Sequence, residues 1–454
     1  MAKDKKILLT TVYHRSQSDM YDYFGANSSR SLFRFSLPRI NSFGLRFIKQ
    51  NIPHIEILEF PSWKEYQQKI KSESWDVVGF SFYLNEIHEI LEMVKYAKAQ
   101  GIPKVWAGNY GALTEEIKPA FDKVFTSYSE HTLSKMLNTQ LPKQGIIHPP
   151  LIGNTSYHGF KLNCQGYLFT NRGCSNKCDF CQTPPFCPQP SKIPLSSIEK
   201  VLQYYKKRGI TEVIILDESF GLYRKHAEQV VDLLDKYGFY WFPMIRADLL
   251  KERMNDWAKK GLLGAMTGIE NLNQETLDAL GKNETIDQIV SAVKQLKKMN
   301  MFAVGYYMIG FPEETVSSIK RDIKKVAKLK LDITQLCVIT PLPGTPLWEK
   351  TKQDYGIIDH DWHHYNAKHL VWNHPNITPK QMREILMNAF KIVYPPQRIF
   401  ETSLGFVTRY IDRRGIVNGV NYLMKHTIHA NTFNYYPKQK RFLPFPQTEQ
   451  QSIT

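Results

Sequence analysis

The stretch Cys174-Ser-Asn-Lys-Cys178-Asp-Phe-Cys181 decides the fold of the middle of this chain. Its CxxxCxxC spacing puts three thiols on one short loop, close enough to share a metal centre. Three ligands are one fewer than a closed zinc site or a saturated four-iron cluster uses, so one metal position stays open. The apolar run from Gly166 to Gly173 precedes the loop and predicts a strand. We therefore predict a metal site for chemistry, with a structural zinc loop as the alternative.

The bulk composition predicts a folded intracellular protein. A length of 454 residues fits two or three domains, and the hydrophobic content of 42% is ample for their cores. Six cysteines in this length do not form a disulfide scaffold. No apolar run reaches the roughly 18 residues of a membrane span, and the N-terminus lacks the features of a signal peptide. An iron–sulfur site also needs a reducing compartment, so we expect a cytoplasmic location.

The net charge of +16 has several physical explanations. Nucleic acid, an anionic membrane surface, an acidic substrate and a solvated Lys-rich surface all fit it. Residues 391–454 hold nine Lys or Arg against three Asp or Glu. Aromatic residues are interleaved with these charges: Phe400, Phe406, Tyr410, Tyr422, Phe433, Tyr435 and Tyr436. This pattern favours a peripheral membrane surface and a lipid substrate over nucleic acid.

Residues 1–140 alternate short apolar strands with helices, which predicts a doubly wound, Rossmann-like parallel sheet. The predicted strands are Ile7–Val12, His54–Leu58, Trp75–Tyr83, Lys104–Asn109 and Asp122–Thr126. Such sheets bind ligands at the carboxyl ends of their strands, here after Val12, Ser81 and Gly108. Residues 141–160 are rich in Pro and Gly and predict a linker.

Residues 161–345 repeat a strand followed by a helix. The predicted strands are Gly166–Gly173, Glu212–Leu216, Tyr240–Arg246, Gly264–Glu270, Phe302–Ile309 and Ile333–Thr340. Residues 346–454 are predicted to form a third, mainly helical region with one helix over Thr378–Tyr394. The whole chain is thus predicted to be an α/β protein.

These features resemble the radical S-adenosylmethionine (radical SAM) superfamily, in the class B methylase-like branch with a cobalamin-binding domain. The cysteine loop and the six repeats resemble its partial (β/α)6 barrel, and Trp75–Ser81 resembles the "DVVGxS" strand of its cobalamin-binding domain. Gly310-Phe-Pro-Glu-Glu-Thr resembles the "GFPxET" stretch, and Pro341-Leu-Pro-Gly-Thr-Pro the "PxPGTP" turn. In barrels of this kind the chemistry lies at the carboxyl ends of the strands.

The resemblance implies a [4Fe–4S] cluster held by Cys174, Cys178 and Cys181, with S-adenosylmethionine on the fourth iron. Cleavage of that cofactor would give a 5′-deoxyadenosyl radical that functionalises an unactivated carbon. The residues expected to bind the cofactor are Phe180 (adenine), Asp217 and Glu218 (the methionine amino group), Arg246, Glu270 (ribose) and Gly310 (backbone against adenine). A flavodoxin or ferredoxin would supply the electron.

Cobalamin binding is open at this stage. Asn109, Ser127 and Ser129 stand where the family has glycines, and no Asp-x-His-x-x-Gly loop supplies a lower ligand. Cobalamin-dependent methylation of a small molecule or lipid is the favoured hypothesis. The alternatives are a cobalamin-independent cyclase, carbon–carbon coupling enzyme or oxidoreductase and, more distantly, a zinc-stabilised nucleic-acid-binding protein.

Two further groups of residues have an ordinary and a functional explanation. Cys164, Cys187 and Cys337 are expected to pack in the core. The histidines of one aromatic stretch could ligate a metal or act near the substrate, but solvated loop residues are favoured: His360, His363, His364, His369 and His374. Residues 1–163 contain no cysteine, which disfavours a methylthiotransferase with a second cluster.

Overall fold

The structure is a computed structural model that describes residues 5–13, 35–36, 42–157, 160–414 and 445. The strands are β1 Ile7–Thr11, β2 Phe35–Ser36, β3 Glu56–Leu58, β4 Val77–Ser81, β5 Lys104–Gly108, β6 Lys123–Val124, β7 Ile152–Tyr157, β8 Phe160–Leu168, β9 Asn171–Arg172, β10 Ser191–Lys192, β11 Glu212–Ile215, β12 Tyr240–Pro243, β13 Gly264–Glu270, β14 Phe302–Ile309 and β15 Ile333–Val338. The helices are α1 Phe43–Asn51, α2 Trp63–Ser72, α3 Ile87–Ala99, α4 Glu130–Met136, α5 Thr183–Phe186, α6 Leu195–Lys207, α7 Arg224–Lys236, α8 Ala247–Lys259, α9 Gln274–Ala279, α10 Ile286–Lys298, α11 Val316–Lys328, α12 Pro346–Asp354, α13 Pro379–Val393 and α14 Pro396–Arg414.

The N-terminal part forms a five-stranded parallel sheet in the order β3-β1-β4-β5-β6. The middles of its central strands are apolar because helices cover both faces, and Leu8, Val78 and Val105 are completely buried. This confirms the predicted doubly wound sheet.

The middle part forms a six-stranded parallel partial barrel. Strands β8, β11 and β12 pair in parallel, as do β13, β14 and β15. Two isolated parallel bridges, Trp241–Leu262 and Met244–Met266, join the two halves. The predicted (β/α)6 architecture is therefore confirmed.

A β-hairpin precedes the barrel and was not predicted. Strand β7 lies inside the predicted linker 141–160 and pairs antiparallel with β8, while β2 pairs antiparallel with β7. The Pro and Gly residues of this stretch conceal the strand, since they favour a loop locally. The exact domain boundaries remain predictions.

The C-terminal part packs helices against the barrel. Gly310 at the end of β14 approaches α13 so closely that an added Cβ would lie 2.8 Å from Cε of Met382. In the described residues, no helix combines the length and apolar character that a bilayer crossing needs. Four of the aromatic residues behind the membrane prediction lie outside the described residues: Tyr422, Phe433, Tyr435 and Tyr436.

Candidate functional site

The cysteine loop leaves the barrel through a short antiparallel ribbon of β9 and β10. Gly173 starts the loop with φ +79°, and an added Cβ there would lie 2.6 Å from Sγ of Cys187. A residue with a side chain would therefore meet both backbone strain and a collision. The glycine before the first cysteine is a steric requirement of this turn.

Asp217 fixes the backbone that leads into the loop. It is fully buried at the end of β11 and accepts hydrogen bonds from Thr170 N (2.6 Å), Asn171 Nδ2 (2.6 Å) and the Thr170 hydroxyl. Burial raises the pKa of Asp217 to about 7, against the opposite effect of these donors. The structure thus occupies both carboxylate oxygens with protein donors, and the predicted contact with a methionine amino group remains a prediction.

The loop is also fastened at its centre and its end. Asp179 N donates to Leu280 O (3.0 Å), and Asp179 O accepts from Leu347 N (3.0 Å). Gln182 Nε2 donates to Pro343 O (2.9 Å), within the Pro-Leu-Pro-Gly-Thr-Pro turn. Segments after β13 and β15 therefore hold the cysteine loop over the carboxyl ends of the strands.

The three cysteines of the loop are free and partly accessible. Burial raises the pKa of Cys178 to about 11 and also raises the pKa of Cys181. Such thiols stay protonated at neutral pH and are poor nucleophiles, but a metal deprotonates its thiol ligands. Among the described residues, these three sulfurs do not all lie within 4.8 Å of one another. A tetrahedral zinc ion would bring its thiolates to about 4 Å apart, so the arrangement suits a larger cluster better.

Two basic side chains lie close to Cys178. The charges of Lys282 and Arg246 lower the pKa of this thiol, although burial has the larger effect. Lys282 is buried, with Nζ 3.2 Å from Glu270 Oε1 and 3.2 Å from Glu284 Oε2. The Arg246 guanidinium donates to the carbonyls of Lys282 (2.8 Å) and Asn283 (2.9 Å). Two cations therefore lie beside the thiols, but each is paired with carboxylates: Lys282 with Glu270 and Glu284, and Arg246 with Asp248 and Glu284.

Glu270 ends β13 with φ +59°, a left-handed conformation that is rare for a residue with a side chain. A side chain at Gly268 would collide with the Glu270 carboxylate and with Lys282 Nζ, so this glycine makes room for the ion pair. Glu270 thus lies among the groups around the thiols, as predicted. Its contact with ribose remains a prediction.

Gly310 also lies at the carboxyl edge, after β14. Its φ of +92° requires glycine, and its N–H donates to Glu314 Oε2 (2.6 Å), which also accepts from Phe311 N (3.0 Å). Burial raises the pKa of Glu314 to about 7, against the effect of these donors. Glu314 therefore holds the "GFPxET" backbone in place, and Gly310 remains a predicted adenine contact.

The predicted adenine contact Phe180 is partly buried and packs against the hydrophobic core. Cys164 and Cys187 are buried, as expected. Cys337 was also expected to be buried in the core, but it faces the inside of the barrel and is partly accessible. Its partner in the β14–β15 register is Met308, which is also partly accessible.

The lumen of the barrel is lined mainly by apolar side chains, with Gln335 and the charges of Glu270 and Lys368 close to Cys337. Along the strands, residues that face the helices are buried and alternate with partly exposed residues that face inward. The inward set includes Ile214, Leu216, Phe242, Met244, Met266, Tyr306, Met308 and Cys337. Burial raises the pKa of Tyr306 and of Cys337 to about 12, so both are uncharged at neutral pH.

Three tyrosines follow three successive strands of the N-terminal sheet at its carboxyl edge. We call Tyr83, Tyr110 and Tyr128, after β4, β5 and β6, the tyrosine edge. Tyr110 and Tyr83 are nearly parallel, with ring centroids 6.2 Å apart and planes at 19°. The Tyr128 hydroxyl donates to Glu218 Oε1 (2.6 Å). The other carboxylate oxygen of Glu218, Oε2, accepts from Gly173 N (3.1 Å). Glu218 therefore connects this edge to the start of the cysteine loop.

The histidine stretch does not form one site. His374 Nε2 lies 2.9 Å from Phe311 O, and His364 Nδ1 lies 2.7 Å from Asp359 Oδ2 with its ring against His369. His363 instead contacts residues of α3.

Sequence reasoning missed Lys282, Glu284 and Glu314 at the barrel edge, and Tyr128 at the tyrosine edge. Lys282 sits in an ordinary Gly-Lys-Asn turn, and no local pattern marks it as a neighbour of Cys178. Glu314 belongs to a motif that was recognised, but its hydrogen bonds to the backbone were not foreseen.

A family model described as the Radical SAM superfamily matches residues 168–326. These residues, from the end of β8 into α11, therefore form a radical SAM domain. A radical SAM domain uses a [4Fe–4S] cluster and S-adenosylmethionine, so these two predicted cofactors are confirmed. The site described above has thiols, cations and an open lumen that fit both.

Curated relatives carry methyltransferase names. An uncharacterized methyltransferase of Pyrococcus horikoshii is 30% identical over 238 residues, or 50% of this chain and 51% of the relative. Bacteriochlorophyllide d C-8(2)-methyltransferase of Chlorobaculum tepidum is 23% identical over 250 residues, or 52% of this chain and 55% of the relative. The chain thus spans about half the length of the curated relatives it matches.

Solved structures share the fold over more of the chain. The radical SAM methyltransferase TsrM of Kitasatospora setae has a TM-score of 0.64 at 14% identity, covering 88% of this chain and 96% of TsrM. The cobalamin-dependent radical SAM enzyme OxsB has a TM-score of 0.57 at 13% identity, covering 95% of this chain and 76% of OxsB. Both similarities extend beyond the barrel, so the combination of a parallel sheet with a radical SAM barrel is shared.

Proposed function

We propose that this chain is a cobalamin-dependent radical SAM methyltransferase that methylates an unactivated carbon of an apolar substrate. The observation that carries this proposal is the cysteine loop, which holds three free, partly accessible thiols over the carboxyl ends of the barrel strands. The methyltransferase names of the relatives and the shared fold with TsrM and OxsB support it.

In this proposal Cys174, Cys178 and Cys181 are the cluster ligands. A [4Fe–4S] cluster with S-adenosylmethionine supplies a 5′-deoxyadenosyl radical when both are bound. The chain's own contribution is to position and shield: Lys282 and Arg246 offset negative charge beside Cys178, and the buried Asp217 holds the loop in register.

The tyrosine edge is the proposed site for cobalamin. Tyr83 has 37% of its surface exposed and is nearly parallel to Tyr110 beneath it, which offers a flat aromatic face to a planar macrocycle. Cobalamin, when bound, would carry the methyl group. The carboxyl edge of a doubly wound sheet is also where such folds bind ligands.

The substrate is proposed to be a small molecule or lipid with an apolar reacting group. Most inward side chains of the lumen are aliphatic, aromatic or sulfur-containing, which suits an apolar reacting group. Two exposed residues one turn apart on α14, Phe400 (68%) and Leu404 (53%), support a peripheral membrane contact through which a lipid could enter. The net charge of +16 suits an acidic electron donor such as a flavodoxin or ferredoxin.

The decisive experiment uses full-length protein purified anaerobically after cobalamin feeding. It is reconstituted with iron and sulfide and given reductant, S-adenosylmethionine with a deuterated methyl group, and lipid or pigment extracts. We expect 5′-deoxyadenosine together with a product heavier by one labelled methyl group, detected by mass spectrometry. Release of 5′-deoxyadenosine without label transfer, from protein that retains no corrinoid, would instead support a cobalamin-independent radical reaction. Zinc without iron would contradict the enzyme proposal itself.

A further inference from the structure

Two histidines and an aspartate from opposite parts of the sequence meet at the surface of the fold. His88 lies in the first turn of α3, whereas Asp361 and His363 belong to a single-turn segment after α12. His88 and Asp361 are 273 residues apart in sequence. One possible ligand atom from each of the three residues lies within 4.8 Å of the other two. Among the described residues, this is the one group of at least three His, Cys, Asp or Glu side chains that is so close together.

The distances in this group match those between ligands of one metal ion. Asp361 Oδ1 lies 3.1 Å from His88 Nε2 and 3.1 Å from His363 Nδ1. Ligand atoms about 2.1 Å from a tetrahedral ion are separated by roughly 3.4 Å. An ion could therefore bind with small side-chain adjustments and no backbone rearrangement.

A buried carboxylate orients one of the imidazoles. Glu89 has only 11% of its side chain exposed, and its oxygens lie 3.0 Å and 3.2 Å from His363 Nε2. When Nε2–H donates to Glu89, the lone pair of His363 is on Nδ1, which faces Asp361. Histidine ligands of metals are usually held in this way, with the distal N–H donated to a carboxylate. In this tautomer Nδ1 of His363 and Oδ1 of Asp361 are both acceptors, and they lie 3.1 Å apart. Two acceptors at this distance need a cation or a proton between them.

We propose that His88, Asp361 and His363 form a site for a divalent transition-metal ion such as Zn²⁺, with Glu89 as the positioning residue. Two imidazoles and one carboxylate are a ligand set that suits ions of this class. The side chains of the three ligands are 41–45% exposed, so a fourth position is accessible to water. The bound ion would link α3 of the N-terminal sheet to the segment after α12 and stiffen the packing of these two regions. The site is separate from the cysteine loop and does not depend on the proposed reaction.

The test compares zinc binding by cluster-loaded, full-length wild type, H88A/H363A and H364A. H364A is the matched control, because His364 pairs with Asp359 rather than with the three ligands. Each protein is titrated anaerobically with ZnCl2 against a competing chelator and desalted, and zinc and iron are measured by mass spectrometry. We expect one additional zinc per chain in wild type and H364A, none in H88A/H363A, and equal iron in all three.

A second variant guards against misfolding of the double mutant. E89Q keeps all three ligands but no longer offers a carboxylate to His363, so we expect its zinc affinity to fall about 10–100-fold. Equal zinc in wild type and H88A/H363A would overturn the proposal. So would zinc that enters only as iron is lost, since that would place the metal on the cysteines, or an E89Q affinity equal to that of wild type.

Discussion

Two carboxyl edges of parallel sheets meet in this protein, and they differ in chemistry. The edge of the barrel carries three thiols and buried charges, including Lys282 and Glu270. The tyrosine edge of the N-terminal sheet presents aromatic rings, with Tyr110 and Tyr128 both packed on Phe186 at centroid distances of 4.6 Å and 5.4 Å. One edge is built to stabilise a charged centre, whereas the other offers flat apolar surfaces.

The difference shows how one topological rule serves two kinds of ligand. Carboxyl ends of parallel strands gather loops from several strands at one place, whatever residues those loops contain. The residues then decide what can bind. Cations beside thiols suit a cluster and a charged cofactor, whereas stacked phenol rings suit a large planar one.

The largest expected effect comes from removing one thiol at the barrel edge. C178A should lose bound iron and all detectable formation of 5′-deoxyadenosine, because two thiolates do not hold a cluster that is designed for three. Y83A should retain both properties, and so should C164A, which changes a buried cysteine of β8 outside the CxxxCxxC loop. Iron analysis and mass spectrometry of the reconstituted proteins measure these outcomes. Full iron content in C178A would remove Cys178 from the ligand set.

A large loss of stability is expected when the buried cation is removed. In K282M the Glu270 carboxylate loses its partner inside the protein and Glu284 keeps only Arg246, at 3.7 Å, which should cost roughly 3–5 kcal/mol of unfolding free energy. Urea unfolding followed by fluorescence gives this value. K177M is the matched control, since Lys177 is an exposed lysine of the cysteine loop. Equal midpoints for K282M and K177M would show that the buried charges are not coupled.

A smaller effect should appear at the tyrosine edge. Y83A removes a partly exposed ring, and we expect roughly 10-fold weaker retention of corrinoid, in line with the worth of one aromatic contact. The visible spectrum of anaerobically purified protein measures the bound corrinoid. M136A, which removes an exposed apolar side chain of α4, is the control and should bind as wild type does. Full retention of the corrinoid in Y83A, together with its loss in C178A, would contradict this proposal, because it would place corrinoid binding at the barrel edge.

The smallest effect is a pH dependence at the barrel edge. Because burial raises the pKa of Glu314 to about 7, the native state holds a proton that the unfolded state has released. Stability from this group is therefore fully present below the ordinary pKa of 4.5 and is lost as the pH rises from there through about 7, with about 1 kcal/mol of the loss between pH 6 and pH 8. The pH profile of the melting temperature should be flatter in E314Q than in wild type. Parallel profiles would show that Glu314 does not titrate in this range.

Much of the fold was predictable because its signals are local. The strand Gly264–Glu270 and the strand Phe302–Ile309 were predicted with the bounds that the structure has, since buried parallel strands form continuous apolar runs. The hairpin strand Ile152–Tyr157 was missed because its residues include Gly, Asn, Thr and Ser, and its pairing with β8 is what stabilises it.

The site was predictable only in part, because the sequence shows local signals but not the contacts between distant residues. The positions of Asp217, Glu218, Arg246, Glu270 and Gly310 at strand ends followed from the repeat pattern. Their partners did not, because Asp217 binds Thr170 and Asn171, and Glu218 binds Tyr128 of another sheet. The histidine stretch likewise gave no hint that His363 would meet His88.

The sequence by itself determined the alternation of strands and helices, the cysteine spacing and the superfamily, because periodicity and motif spacing are properties of short segments. Only the tertiary structure decided which charges lie beside the thiols, which faces line the lumen, and how the barrel edge and the tyrosine edge meet at Glu218. The physical reason is that such contacts join residues far apart in the chain, as Cys178 and Gly281 are at a separation of 103 residues. Their proximity depends on strand register and on the packing of whole elements, which no local pattern of residues encodes.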